Sequence, residues 1–311
     1  MTLNFVREWL RSIMTSERHV PDAVVGVAGF MSNDDVARTM QAAPPWMTVG
    51  IGVLASRKTL FESGNKHPLR YPPKGEIAGI FTDDARGENL VHYATDTTSA
   101  TQLADELVYA VDCGGPRCHG LQVNVPWLPP LALRRFKRLR PNARVSLQIK
   151  LGQPVIGHGL VGRVMEYRAR QLRAIGVHPS SVAVVRTTMA LKQYRDLIDG
   201  VLFDASSGTG TAIDFDVVEA YLVAARRALP KLRLGMAGGL SSKAFALHRD
   251  AIVNLMREYP GLCLDAEGGL RDKSPGGGHM VIDAVRNYVV DAGMMWDFAR
   301  EDMAGTVTMD G

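Results

Sequence analysis

Short apolar runs alternate along the chain with longer stretches of helical period. The apolar runs are AVVGVAGF (23–30), WMTVGIGVL (46–54), LVHYATD (90–96), HGLQVNVP (119–126), ARVSLQIKL (143–151) and SSVAVVRT (180–187). Three more lie at 201–204, 232–237 and 262–266, giving nine strand candidates. Between them residues 33–42, 98–111, 128–139, 160–176, 188–198 and 283–298 place apolar side chains three and four apart, as amphipathic helices do. The punctuation agrees. Ser32-Asn33-Asp34-Asp35 supplies N-cap residues, Pro44-Pro45 stops the helix that follows, Pro129-Pro130 sits in a first helical turn, and Gly176 ends a helix. Residues 3–14 give a further helix with Phe5, Val6, Trp9, Leu10 and Ile13 on one face, suited to capping a barrel or to a subunit contact.

Strands alternating with helices mean βαβ units and a parallel sheet. The last three runs each open into a glycine loop: Asp204-Ala205-Ser206-Ser207-Gly208-Thr209-Gly210, Ala237-Gly238-Gly239 and Asp265-Ala266-Glu267-Gly268-Gly269. An open doubly wound sheet gathers its ligands at one switch point, whereas a (β/α)8 barrel carries its site on loops from many strand ends. The expected fold is therefore α/β, a TIM-type (β/α)8 barrel forming a single domain over 1–311. A closed barrel takes eight strands, so one of the nine is peripheral: 180–187 or 23–30. Residues 1–20 form a helical extension and 299–311 a polar, frayed tail. Residues 55–89, rich in Lys, Arg, Gly and Pro, form a long inserted loop with a hairpin strand at 75–83. Arg57, Lys58, Lys66, Arg70 and Lys74 in that loop either reach a bound phosphate or are simply solvated.

Composition narrows the function. The chain has 46% hydrophobic and 22% charged residues and a net charge of +4, ordinary for a soluble globular protein with a mild bias toward anionic ligands. Its basic residues are scattered, which argues against a nucleic-acid partner. The amphipathic N-terminus is not a signal peptide, and no run of 18 apolar residues is present for a membrane span. Cys113, Cys118 and Cys263 do not make a disulfide framework, and Cys113 with Cys118-His119 lacks the second ligand pair of a metal site. A cytoplasmic, metal-independent protein is expected, with no cofactor, a phosphorylated small-molecule substrate, and an oligomer contact available through the N-terminal helix.

The chemistry gathers at the glycine loops. Backbone N–H groups there, with the helix N-termini that follow, form an anion site. Asp204 at the end of Val201-Leu202-Phe203 is placed to be desolvated and to act as an acid, or else to hold backbone N–H groups as a loop carboxylate. His119 reads as a packed histidine. Arg271 and Lys273 follow the last glycine pair and either grip a phosphate or face solvent.

These stretches resemble phosphoribosylanthranilate isomerases. Gly208-Thr209-Gly210-Thr211-Ala212-Ile213-Asp214-Phe215 is similar to that family's Gly-Thr-Gly-x-x-Phe-Asp-Trp, and the Ala237-Gly238-Gly239-Leu240 and Asp265–Leu270 loops are similar to its next two. Gln122-Val123-Asn124 stands where the family has Gln-Leu-His, and Val27-Ala28-Gly29 where it has Ile-Cys-Gly. The resemblance covers the last third well and the first half loosely. It implies Amadori-type isomerisation of a phosphoribosyl substrate, with a general acid at the ring oxygen and a general base at C2. On this resemblance Asp204 takes the family's Asp role. Ala28 replaces its Cys, so Glu267, Asp265 or Lys150 must supply the second group. Gly208, Thr209, Gly210, Gly238, Gly239, Gly268, Gly269, Arg271 and Asn124 would hold the substrate. The lost Cys leaves open a C1 ribosyl lyase or transfer reaction, a non-catalytic phospho-ligand binder, or a flavin-mononucleotide barrel.

Overall fold

The computed structural model describes residues 23–305 apart from 63, 66, 126, 152–154, 156, 206–212, 273 and 275–277. Eight parallel strands close into a barrel in chain order: β1 (Val24–Ala28), β2 (Thr48–Ser56), β3 (Gly87–Ala94), β4 (Gly120–Val123), β5 (Arg144–Lys150), β6 (Gly200–Asp204), β7 (Arg233–Ala237) and β8 (Cys263–Ala266). The last closes on the first through pairs such as Asp265 with Gly26. The helices are α1 (Asn33–Ala42), α2 (Arg57–Phe61), α3 (Ile77–Ile80), α4 (Ala100–Cys113), α5 (Pro130–Leu139), α6 (Gly159–Ala174), α7 (Pro179–Leu191), α8 (Phe215–Ala228), α9 (Ser242–Glu258) and α10 (Ile282–Gly305). None of the described helices is long and apolar enough to cross a membrane.

Strand periodicity divides the residues between the two faces of the wall. Val25, Val27, Val49, Ile51, Val53, Val91, Leu121, Val145, Leu147, Phe203, Met236 and Leu264 face outward and are buried beneath the helices. The hydrophobic core is thus a ring between sheet and helices, joined by Phe136, Phe245, Tyr288 and Trp296 from the outer layer. The inward set is mostly small or polar, with Gly26, Gly50, Gly52, His92, Gln122, Ser146, Gln148, Gly200, Asp204, Gly235 and Asp265 beside the apolar Val24, Leu54, Leu90 and Leu202. Local signals start the helices where expected. The Ser32 side chain accepts from the Asp35 N–H, Ser241 from Ala244, and Asp214 from Val217.

Several expectations are corrected. The 180–187 run is helical, within α7. Its β-branched residues suit a strand, but the eight-stranded wall has no free edge to receive it, and Pro179 opens a helix. The 23–30 run is a barrel strand. The helix expected at 188–198 is the end of α7 and a 3-10 turn, Lys192–Tyr194. In place of a hairpin strand at 75–83 stands α3, a single helical turn that buries Ile77 and Ile80. The 55–89 segment is not one loop: β2 runs on to Ser56, Ser56 caps α2 in a capping box with Thr59, and β3 already begins at Gly87. The tail expected to fray from 299 continues as helix to Gly305. The N-terminal helix expected at 3–14 lies outside the described residues.

Candidate active site

At the C-terminal end of the barrel the inward side chains and the loops above them enclose a cavity of ≈ 490 Å³. Its wall carries Asn124, Lys150, Asp204, Gly238, Gly239, Asp265, Glu267, Gly268, Gly269 and Arg271. Residues proposed from separate stretches of sequence therefore meet in one place. Gly208, Thr209 and Gly210 lie outside the described residues. The strand that leads to them ends beside the others, with Ala205 N–H donating to the Ala237 carbonyl at 2.9 Å.

Register sets the geometry of the charged groups. Lys150 pairs with Asp204, Asp204 with Ala237, and Ala237 with Asp265, so all lie at one level of the barrel. Asp204 and Asp265 are two strands apart, roughly 10 Å at the backbone, and both point inward. Asp265 is partly buried, and a Cβ at Gly26 would collide with its carboxylate. Burial, reinforced by the charges of Glu267 and Asp204, pushes the Asp265 carboxyl up to about 7, against a hydrogen bond from Gln122.

A chain of side chains links these groups across the bore. Gln122 Nε2 lies 3.2 Å from His92 Nδ1 and donates to Gln148 Oε1 at 3.3 Å. Gln148 Nε2 donates to Asp204 Oδ2 at 3.1 Å. His92 occupies space that a side chain at position 52 would take, since a Cβ on Gly52 would stand 2.6 Å from its Nε2. Burial lowers the His92 imidazole to about 4, so it is neutral at physiological pH.

The rim is built from the glycine pairs. Gly238 and Gly239 adopt φ of +99° and +69°, conformations that side chains resist. They lead through Ser241 into the N-terminus of α9. A Cβ on Gly269 would press on the Leu240 carbonyl, so the two glycine loops pack together. Beside them, Arg70 from the segment after α2 donates from Nε to Glu267 Oε1 at 2.5 Å, and Tyr71 lines the same cavity.

Arg271 lines this rim differently from the expected phosphate grip. Its NH1 donates to the carbonyls of Leu69 (3.2 Å) and Gly278 (2.9 Å), and its NH2 to that of Gly29 (2.8 Å). The buried guanidinium thus clasps three loops together. His119 is exposed rather than packed, although its Nδ1 accepts the Asn89 N–H at 2.9 Å. Among the described residues no three His, Cys, Asp or Glu side chains gather as a metal site.

Sequence reasoning passed over His92 and Gln148, kept Gln122 only as part of a motif, and left Arg70 open. The signal for the first three was present: each is a polar residue flanked by outward apolar ones within a strand. Nothing local marks Arg70.

No family model matches the chain, and no curated protein matches it significantly. Solved structures do. The active domain 2 of a chitinase from Pyrococcus furiosus, in its catalytic-site mutants, superposes with a TM-score of 0.50 at 12% identity, over 89% of this chain and 96% of that one. Pyruvate carboxylase from Rhizobium etli gives 0.50 at 12% identity, over 96% of this chain and 28% of that one. At such identity these likenesses speak for the TIM-type barrel fold alone.

Proposed function

We propose that this barrel is an acid–base enzyme acting on a phosphorylated, phosphoribosyl-type sugar, with Amadori-type isomerisation as its reaction. One observation carries this reading: Asp204 and Asp265 both point into the cavity at one level, beneath a rim of two packed glycine loops. Loops after the seventh and eighth strands are where barrels of this class hold phosphate, and Gly238, Gly239, Gly268 and Gly269 stand there. Lys150 and Arg70 bring positive charge to the same space.

The reaction needs a proton given to the ring oxygen and a proton removed from C2. Asp265, held near pH 7, is partly protonated at physiological pH and serves as the acid. Asp204, oriented by Gln148, takes the C2 proton, exchanges it with solvent and delivers a proton to C1. Neutral His92 and Gln122 offer hydrogen bonds to sugar hydroxyls. Ala28, where the resembling family has its Cys, lines the cavity and cannot transfer protons; Asp204 then takes the base's part and Asp265 the acid's, an exchange of the roles the resemblance implies.

The test has two steps. Calorimetry with ribose 5-phosphate and with ribose should show binding only for the phosphorylated sugar. An N-aryl phosphoribosylamine in D₂O should then gain deuterium at C1 of the ketose product, with the rate falling by 10²-fold or more in Asp204→Asn and Asp265→Asn. Binding of ribose equal to that of its phosphate, or turnover untouched by both substitutions, would defeat the proposal.

A further inference from the structure

A barrel of this class is ordinarily filled by three layers of bulky side chains, so its interior is a packed core. Here much of the interior is missing. A second cavity of ≈ 260 Å³ rises from the N-terminal end, walled by Gly26, Gly50, Gly200, Gly235 and Ser146 together with Val24, Leu90 and Leu202. It shares His92, Gln122 and Asp265 with the upper cavity, so these three side chains form the layer between the two spaces. Its lower rim carries an ionic cluster. Buried Glu88 accepts from Arg144 NH1 at 2.7 Å and from Arg233 NH1 at 2.8 and 2.5 Å. Cys263 and Asp265 both point into the bore of the barrel, yet each keeps surface accessible to a water-sized sphere. A water inside protein needs two to four polar partners, and Ser146, Gln122, His92 and Asp265 supply them along this route.

We propose that the barrel is open at both ends, and that its N-terminal mouth is a second, water-filled entrance reaching Asp265 from beneath while the C-terminal mouth holds substrate. The entrance stands on geometry alone. Its use rests on Asp265 being the acid of the proposed reaction: the proton given to the ring oxygen is replaced from bulk through the bore, and the proton shed by the C2 hydroxyl as it becomes a carbonyl balances it.

Cys263 reports on the entrance because it lines the lower cavity and not the upper one. In the full chain carrying Cys113→Ala and Cys118→Ala, methyl methanethiosulfonate should modify Cys263 under native conditions, whereas a polyethylene-glycol maleimide should not. Burial pushes this thiol up to about 11, so rates are compared between variants at one alkaline pH. Ser146→Leu, which places an isobutyl group in the bore, should slow modification at least tenfold. Gly200→Ala, whose methyl would stand 3.2 Å from Ser146 Oγ, should slow it less and guards against a folding defect in the first variant. A crystal structure should show ordered waters between Ser146 and Asp265. Equal rates for small and large reagents, no effect of either substitution, or a bore without water would overturn the entrance. These measurements use no substrate, so they succeed or fail apart from the isomerase reading. Where turnover is present, Ser146→Leu should lower kcat severalfold with KM unchanged; an unchanged kcat would overturn the proton route.

Discussion

Replacing Asp265 by Asn keeps the size of the side chain and removes its ability to ionise, and the consequence for stability can be worked through. The carboxyl titrates near 7 in the folded protein against an ordinary value of 3.8. Each pH unit of difference corresponds to about 1.4 kcal/mol, so a shift of roughly three units is about 4 kcal/mol. The sign follows from proton binding. Between pH 4 and 7 the folded state holds this proton and the unfolded chain has lost it, so wild-type stability falls as pH rises through that window and is flat above it. Asp265→Asn escapes that loss. Below pH 4 the two proteins should be of similar stability. At pH 8 the variant should be more stable by up to about 4 kcal/mol, the lower part of that range applying where bore water solvates the carboxylate.

Urea denaturation followed by tryptophan fluorescence at several values between pH 4 and pH 8 measures this gap directly, with a melting-temperature rise of roughly 5–10 °C at pH 8 as its thermal counterpart. The same variant should have lost turnover, so stability and activity would move in opposite directions, as they do where a site holds a group at energetic cost. A gap that stays constant with pH, or a variant less stable than wild type at pH 8, would show that Asp265 is not held in the state described.

Other parts of the structure are equally open to test. Glu106 accepts hydrogen bonds from Arg57, Tyr93, Thr95, Thr97 and Gln102, so Glu106→Gln should cost about 2–3 kcal/mol in urea titrations; a change below about 0.5 kcal/mol would contradict this network. Arg271→Lys replaces a planar fork by a point charge and cannot hold the Leu69, Gly278 and Gly29 carbonyls together. Limited proteolysis near 64–75 and 272–280 should accelerate at least tenfold, and an unchanged cleavage pattern would remove the clasp. His92 sits near 4, so its ring signals in an NMR titration should not move between pH 5.5 and 8; a midpoint near 6.5 would mean the imidazole is solvated.

Alternation and glycine punctuation were enough to read the barrel from the chain, and the exceptions have physical causes. SSVAVVRT has a strand's composition, but what makes a strand is an available edge, and β5 and β6 already pair with each other on either side of it in sequence. The start of β3 was hidden because Glu88 and Asn89 look like loop residues; only the arginines of β5 and β7, distant in sequence, make Glu88 tolerable within the wall. The strand-end carboxylates were legible because position alone singles them out. Arg70 was not, since it meets Glu267 across 197 residues of chain. Arg271 was legible as a charge near the rim, but its role is fixed by carbonyls from three separate loops.

The glycines of the bore connect these observations. Each inward glycine forgoes burial worth about 0.8 kcal/mol per methylene, and a filled interior would be the more stable choice. Three of them face side chains that leave no room for a methyl group: Gly26 under the Asp265 carboxylate, Gly52 under the His92 ring and Gly235 against Leu202. The outward Val, Ile and Leu residues carry the packing in the ring between sheet and helices, which frees the interior from that duty. Where a barrel keeps its core outside the wall and lays ionisable groups over glycine inside it, the arrangement is easier to account for by chemistry conducted in the bore than by stability.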